Sequence, residues 1–288
     1  MTRIAVLTPD PADKSYIGRW PEVLARLKAT LETTGAEITP TPWTDHVEDA
    51  SGLEGHDLIL PVIAWGYHRD HARWLKACAT WATAGLPIAN AASVLGWNSD
   101  KTYLARLADK GVPIPPTRWS EAITQDQVDA AFAETGAPTL IIKPTVSAGA
   151  FRTLRLTPGQ PLTEAPEGPA MIQPYLKSIE TEGETSLLFF GGRFSHAVNK
   201  RPVAGDFRIQ IQFGGLYTTV TPDAAAFALA EQVLAAVEEP LLYARIDLAR
   251  DDAGAWVLME AELIEPDFYL DHDPANGSGF AEAVRNRL

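Results

Sequence analysis

The stretch VLMEAELIEPDF, Val257 to Phe268, constrains the fold most, because a run as apolar as a buried strand carries Glu260, Glu262, Glu265 and Asp267. Burying an unpaired carboxylate is costly, so the sheet that contains this run must set an Arg, a Lys or a metal ion beside it. The residues before it, LLYARIDLARDDAG, predict a hairpin that turns through Asp251 to Gly254. Strand alternation then puts Glu260 and Glu262 on a face with Leu258, and Met259, Ala261 and Leu263 on the other. Such a turn pairs Arg250 with Ala255, which sets Asp247 opposite Leu258 and Arg245 opposite Glu260. Asp247, Glu260, Glu262 and Arg245 converge on one surface. Three carboxylates against one arginine leave negative charge that a hard cation such as Mg²⁺ takes up through oxygen ligands. The plainer alternative is a solvated sheet face with Arg245 in salt bridges.

Upstream, the chain alternates strand and helix patterns. RIAVLT, AEITPTPW and HDLILPVIAW read as strands of a parallel layer, with WPEVLARLKATLETTG as a helix between the first two. Their carboxyl ends fall near Pro9 and Trp65, where open α/β sheets place ligands. A short strand, LPIAN, follows, then a helix NSDKTYLARLADKG capped by Asn98 or Ser99. TQDQVDAAFAETG is a second helix in this region, and TLIIKP, FRTLRLT and AMIQPYL are strands. The last third reads as mainly antiparallel: a hairpin across Gly191-Gly192, an alternating strand DFRIQIQFGG, the helix PDAAAFALAEQVLAAVEE and the acidic hairpin.

Composition narrows the partners. With 37 acidic against 24 basic residues the formal charge is −13, and no basic block occurs, so a nucleic-acid backbone or an anionic membrane is a poor partner. The single cysteine, Cys78, permits no internal disulfide and suits a reducing cytoplasm. No apolar run is long enough for a membrane span or a signal segment, which also points to the cytoplasm.

Among the few lysines, three hold informative places. Lys143 ends the apolar strand TLIIKP and precedes a loop of small residues, Thr145 to Ala150, whose backbone could approach a polyphosphate; a bare hairpin tip is the alternative. Lys101 sits at the start of a helix, where a solvated surface lysine is the more ordinary expectation, and Lys200 closes FSHAVN, where it could simply guard a strand edge. His196 reads as an ordinary strand histidine.

The order of these elements resembles the ATP-grasp superfamily, in its glutathione synthetase-like branch. The stretches that carry it are WNSDKTYLARL, LIIKPTVSAGA, MIQPYLKSIETEGETSLLFFGGRFSHAVNK and ARIDLARDDAGAWVLMEAELIEP, and the likeness spans essentially the whole chain. It implies a mixed α/β and α+β fold: an N-terminal open α/β domain over 1–92, a central subdomain over 93–175 with a phosphate loop, and an antiparallel subdomain over 176–288, the last two clasping ATP. It further implies that Lys101 and Lys143 hold the ATP phosphates with Ser147 beside them. Gln173, Tyr175 and Leu176 would form the adenine hinge, Glu184 would hold the ribose, and Lys200 would approach the γ-phosphate. Asp247, Glu260 and Glu262 would bind two Mg²⁺ ions, with Mn²⁺ an alternative; Glu262 stands where many relatives carry asparagine. Arg245, Lys200 and Arg208 would be the catalytic cations.

The implied activity is ATP-dependent, ADP-forming carboxylate-amine ligation through an acyl phosphate. DLILPVIAWGYHRD, SIETEGETSLLFFGGRFSHAVNKRPVAGDFRIQ and EAELIEPDFYL look most like the ligases of antibiotic biosynthesis that close an O-ureido-serine to the cycloserine ring. An open-chain, peptide-like product and a non-catalytic ATP-binding module are the alternatives. A small amino-acid-like substrate would lie against Trp65, Tyr67, His68, Ser147 and Arg208, although core packing explains Trp65 and Tyr67 as well. A homodimer is compatible with this reading.

Overall fold

The computed structural model describes residues 1–16, 18–149, 151–203, 208–209 and 211–288. The described strands form three sheets. The first is parallel, in the order β2-β1-β3, from β1 (Arg3–Thr8), β2 (Glu37–Pro42) and β3 (Leu58–Leu60). Its central strand is buried on both sides, as its unbroken apolar run requires. Ile4 and Val6 pack with Leu27 and Leu31 of α1 (Trp20–Glu32). Ala5 and Leu7 pack with Trp43, and with Trp74 and Trp81 of α2 (His71–Thr83). The third strand is shorter than its apolar run suggests: Pro61, which has no N–H to donate, follows Leu60, and turns carry the chain to Trp65. The expected strand LPIAN is reduced to one parallel bridge between Ile59 and Ile88.

The expected helix from Asn98 is divided into α3 (Ala92–Asn98) and α4 (Tyr103–Ala108), and neither Asn98 nor Ser99 caps the latter. Asn98 serves a different purpose. Its side chain donates to the Ala261 carbonyl (2.8 Å) and accepts from the Leu263 N–H (3.0 Å), clipping this region to the acidic strand. Asn90 does the same with Tyr243, Leu263 and Leu242.

The second sheet is antiparallel, in the order β4-β7-β5-β6: β4 (Arg118–Ser120), β5 (Leu140–Pro144), β6 (Leu154–Leu156) and β7 (Ala170–Pro174). Leu140, Ile142 and Ile172 form its core with Val128 of α5 (Gln125–Thr135), a helix started by a Thr124–Gln127 capping box. Ile141, Lys143 and Gln173 are left facing the cavity.

After α6 (Ser178–Thr181) comes an antiparallel sheet in the order β10-β9-β8-β11-β12. It comprises β8 (Glu184–Phe190), β9 (Arg193–Arg201), β10 (Leu216–Val220), β11 (Tyr243–Arg250) and β12 (Trp256–Glu262). Gly191 and Gly192 turn the first hairpin at φ +57° and +76°, a conformation that favours glycine. One face of this sheet packs on α7 (Ala224–Val237) through Leu187, Phe189, Ile246 and Leu248. The other begins at the apolar end as core, with Leu188, Val198 and Phe280 of α8 (Ser278–Arg285), and becomes the cavity floor. The strand expected over DFRIQIQFGG differs: Ile211–Phe213 form a 3₁₀ turn and pairing starts at Leu216, while Asp206, Phe207 and Gln210 lie outside the described residues.

Candidate active site

The cavity, about 880 Å³, is walled by the second sheet, by α1 and by the segments after β1 and β3, and floored by β8, β9, β11 and β12. Its floor depends on the acidic hairpin, whose register differs from the expected one. The turn takes five residues, so Arg250 pairs with Trp256, and a β-bulge lies between Asp247 and Leu248 on β11, where the opposing strand advances from Glu260 to Leu258. Asp247 therefore faces Glu260, and Arg245 faces Glu262. The bulge also alters the faces. Leu258 joins Ala261 and Leu263 in the core against α7, whereas Met259 and Glu260 both reach the cavity. One extra residue thus supplies an apolar and an acidic wall from adjacent positions.

Oxygens of Asp247, Glu260 and Glu262 come within 4.8 Å of one another. Each of these acids has a cation. Lys101 Nζ donates to Glu260 at 2.7 Å. Arg245 donates to Asp247 through Nε and Nη2, both at 3.0 Å, and also to Glu262. Lys200, across the sheet, lies 2.7 Å from Glu184 and 3.1 Å from Asp247. Ser186 completes the shell of Asp247 with a hydroxyl at 2.6 Å.

These contacts set the protonation states. Burial alone would raise Asp247, but Arg245 and Lys200 outweigh it and hold this carboxyl well below the usual range. Glu260 is likewise lowered, by Lys101 and Lys143 against burial. At Glu262 burial prevails, aided by Glu260 and Asp247 and opposed by Arg245, and its pKa rises to about 7. Burial and Glu262 push Glu265 well upward. Lys101 and Lys200 are raised by their carboxylates in spite of burial. Lys143 goes the other way: burial lowers it, with Lys101 adding repulsion. It makes no hydrogen bond or close ion pair with any described residue.

Lys101 also donates to the Ser147 carbonyl at 3.1 Å, which ties the small-residue loop to the floor; Ala150 of that loop lies outside the described residues. Gln173 turns its amide to Thr117 (2.9 Å), and the Tyr175 N–H is engaged by the Thr139 carbonyl, so both are fixed beside Leu176 at the far end of the cavity. Arg208 lines the cavity with its guanidinium 3.7 Å from the Phe213 ring centre.

The N-terminal wall holds Trp65, Tyr67 and His68. Tyr67 is nearly buried, stacked 5.0 Å from Trp74, so core packing accounts for much of it. Trp65 is half-buried between Tyr16 and the Arg19 guanidinium, each 5.5 Å away. His68 is lowered to about 4 by burial and by Arg69 and Lys101, hence neutral, and its Nδ1 is buried without a partner among the described residues. His196 is not in the cavity wall; its Nε2 donates to the Phe268 carbonyl (2.9 Å) and its Nδ1 hydrogen-bonds the Ser195 hydroxyl (3.0 Å), as a structural strand residue.

Three contributors were missed by sequence reasoning. Ser186 follows Glu184 by two residues on a strand, a period that could have revealed it. The Tyr269 ring lies 5.9 Å from Lys200 Nζ and 5.2 Å from Arg245 Cζ, but its backbone is left-handed at φ +47° and no pattern announces it. The loop at Asp13–Tyr16 is held by Arg69, whose guanidinium reaches Asp13 (2.7 Å), Ser15 (2.9 Å) and Tyr16 (3.3 Å) across more than fifty residues of sequence.

No family model matches the chain. It is 28% identical over 286 residues, 91% of this chain and 92% of the other, to the cycloserine biosynthesis protein DcsG of Streptomyces lavendulae. The crystal structure of D-cycloserine synthetase DcsG superimposes with a TM-score of 0.80 at 24% identity, covering 99% of each chain. D-alanine–D-alanine ligase from Bacillus anthracis gives 0.73 at 16% identity over 100% of this chain and 99% of its own. The ATP-grasp ligase PsnB, solved with Mg and ADP, gives 0.68 at 15% identity over 99% and 98%. The chain has the ATP-grasp fold. The ATP-grasp likeness read from the sequence is thereby borne out along the full length, and the cavity lies between the two antiparallel sheets.

Proposed function

We propose that this chain is an ATP-dependent, ADP-forming carboxylate-amine ligase that closes an O-ureido-serine-like acid to the cycloserine ring. The observation that carries the reading is the charge arrangement. Three carboxylates converge within 4.8 Å on a rigid sheet, opposite Lys143, a cation with no close counter-ion among the described residues. A polyphosphate and its divalent cation satisfy both. The full-length similarity to DcsG, a cycloserine biosynthesis protein, supports the substrate.

All-oxygen donors fit a hard cation, so Asp247, Glu260 and Glu262 would hold Mg²⁺, as two ions, with Mn²⁺ as a substitute. When bound, Mg²⁺ offsets charge on the phosphate oxygens. Lys101, Lys143 and the Ser147 loop grip the ATP phosphates, Gln173, Tyr175 and Leu176 flank the adenine, and Glu184 meets the ribose. Lys200, Arg245 and Arg208 face the transferred phosphoryl group and the substrate carboxylate; guanidinium forks suit both. The carboxylate oxygen attacks the γ-phosphorus and ADP leaves. The ureido nitrogen bonded to oxygen then attacks the acyl carbon and phosphate leaves; water cleaves the carbamoyl group from that nitrogen as carbon dioxide and ammonia, which leaves the cycloserine ring. The loop that begins at Thr145, with Phe151 beside His68 at 6.3 Å between ring centres, screens the acyl phosphate from water. Trp65, Tyr67 and His68 bound the substrate. The units 1–92, 93–175 and 176–288 are the domains we assign, and the cytoplasm is the compartment; no described helix is long and apolar enough to cross a membrane.

Lys143→Met and Glu260→Gln test this reading. Each should lower substrate-dependent ADP release by about 10²–10³-fold, the usual cost of losing one preorganised charge, with the fold retained. Full turnover in both variants refutes it. An open-chain ligation is the second reading, favoured by the near-complete superposition on D-alanine–D-alanine ligase.

A further inference from the structure

Most acids of the cavity wall have a cation among the described residues; Asp267 has none but is exposed and accepts from the Tyr269 N–H at 2.9 Å. Glu184 and Asp247 have Lys200, Glu260 has Lys101, and Glu262 has Arg245. Glu265 lines the cavity and has neither a cation nor a hydrogen bond among the described residues. Nor is it free to swing out to water on a loose loop, because its backbone is fixed on both sides. Leu263 is clipped by Asn90 and Asn98, the Ile264 carbonyl accepts from the Tyr243 hydroxyl at 2.7 Å, and the Phe268 carbonyl is bound by His196 at 2.9 Å. Ionising a carboxyl held this way at a cavity wall is costly, so the group becomes a carboxylate when a cation meets it.

Its position shows where that cation must come from. Among the charges that act on Glu265, Glu262 is the strongest, and Glu265 is itself the strongest charge acting on Tyr67. It therefore stands between the metal-type carboxylates and the aromatic N-terminal wall, where Tyr16 also feels it. Lys143, which has no close counter-ion among the described residues, belongs to the second sheet. A ligand that satisfies both presents phosphate at one end and a positive group at the other. An α-ammonium group is only one carbon from the carboxylate that reacts, so its counter-charge has to lie beside the phosphoryl-transfer carboxylates, as Glu265 does.

We infer that Glu265 is the recognition point for the substrate's ammonium group and selects α-amino acids over the corresponding acids that lack the amine. Tyr16 and Tyr67 belong to the same cavity wall. The inference rests on the ligase reading for the identity of the substrate, but not for its test, which measures binding.

O-ureido-D-serine and D-serine are titrated calorimetrically, each beside its desamino counterpart, 3-(ureidooxy)propanoate or 3-hydroxypropanoate, into full-length protein with ADP and Mg²⁺. Wild type should bind an amino form about 10- to 100-fold more tightly than its counterpart, the scale of a hydrogen bond between charged groups. Glu265→Gln, which keeps the side chain's shape, should remove that preference, and Glu265→Asp should retain part of it, with the Mg²⁺ half-saturation of ADP binding unchanged in both. A preference that survives Glu265→Gln, its absence from the wild type, or a loss of Mg²⁺ binding in place of the preference overturns the inference. Preferential binding of O-ureido-D-serine without ADP release from ATP would leave Glu265 standing and refute the cyclo-ligase reading instead.

Discussion

Replacing Lys200 with methionine removes the ammonium that joins β9 to the cavity floor, and the structure sets the size of the effect. Lys200, Glu184 and Asp247 have side chains only 4%, 11% and 2% exposed, with Lys200 at 2.7 Å and 3.1 Å from the two acids. Breaking a buried ion pair by removing one partner costs about 3–5 kcal/mol. Asp247 keeps Arg245 and Ser186, so the deficit falls on Glu184, which has no other close cation among the described residues. The lower end of the range, about 3 kcal/mol, is therefore expected. Glu184 already has a raised pKa from burial, offset in part by Lys200. Without Lys200 its folded-state value rises further above the unfolded one. The penalty is then absent below the unfolded pKa, where the acid is protonated in both states, and grows as pH rises through the folded one. Urea unfolding of the metal-free protein, followed by tryptophan fluorescence, should show wild type and variant nearly alike at pH 4.5 and separated by the full amount at pH 8. Adding Glu184→Gln should restore most of the loss. A gap under about 1 kcal/mol at pH 8, or a double variant weaker than the single, would refute this account of the pair.

Glu262, at a pKa of about 7, contributes stability that is complete below the unfolded value and lost as pH rises through 7. Metal-free Glu262→Gln should therefore gain roughly 2–3 kcal/mol on wild type between pH 4.5 and 8, read from paired unfolding curves. For the same reason the Mg²⁺ concentration for half-maximal ADP binding should rise about tenfold per pH unit below 7 in wild type, because the proton competes for the ligand. Arg69→Ala releases the Asp13–Tyr16 loop; since the pair is half exposed, stability should change by less than about 1 kcal/mol, whereas KM for the acid substrate rises and KM for ATP does not. Gly183→Ala should cost about 2–4 kcal/mol, measured by thermal unfolding, as a Cβ there meets Asn199 Oδ1 at 2.6 Å and the Lys200 carbonyl at 2.7 Å on backbone at φ +89°.

Much of the fold was legible because its signals are local. The strands Arg3–Thr8 and Leu140–Pro144, the capped helix Gln125–Thr135 and the double-glycine hairpin each follow from apolar period, a cap or a turn residue. The convergence of Asp247, Glu260, Glu262 and Arg245 was legible too, since period two survives a small register error. What was lost depends on tertiary context. The bulge opposite Asp247 has no sequence mark, yet it decides that Leu258 enters the core and Met259 the cavity. Asn98 looks like a helix cap, but Ala261 and Leu263 offer it better partners. Tyr269, Arg69 and the roles of Glu265 arise from contacts between segments far apart in the chain, which no window of sequence contains.

The central claim is tested most directly by the mass of the product formed when the purified protein is incubated with O-ureido-D-serine, ATP and Mg²⁺. The account predicts ADP and phosphate in equal amounts with a product of cycloserine mass and no second amino acid incorporated. A product joining two substrate molecules would contradict ring closure in favour of open-chain ligation, and unchanged substrate with no ADP would contradict the ligase assignment itself.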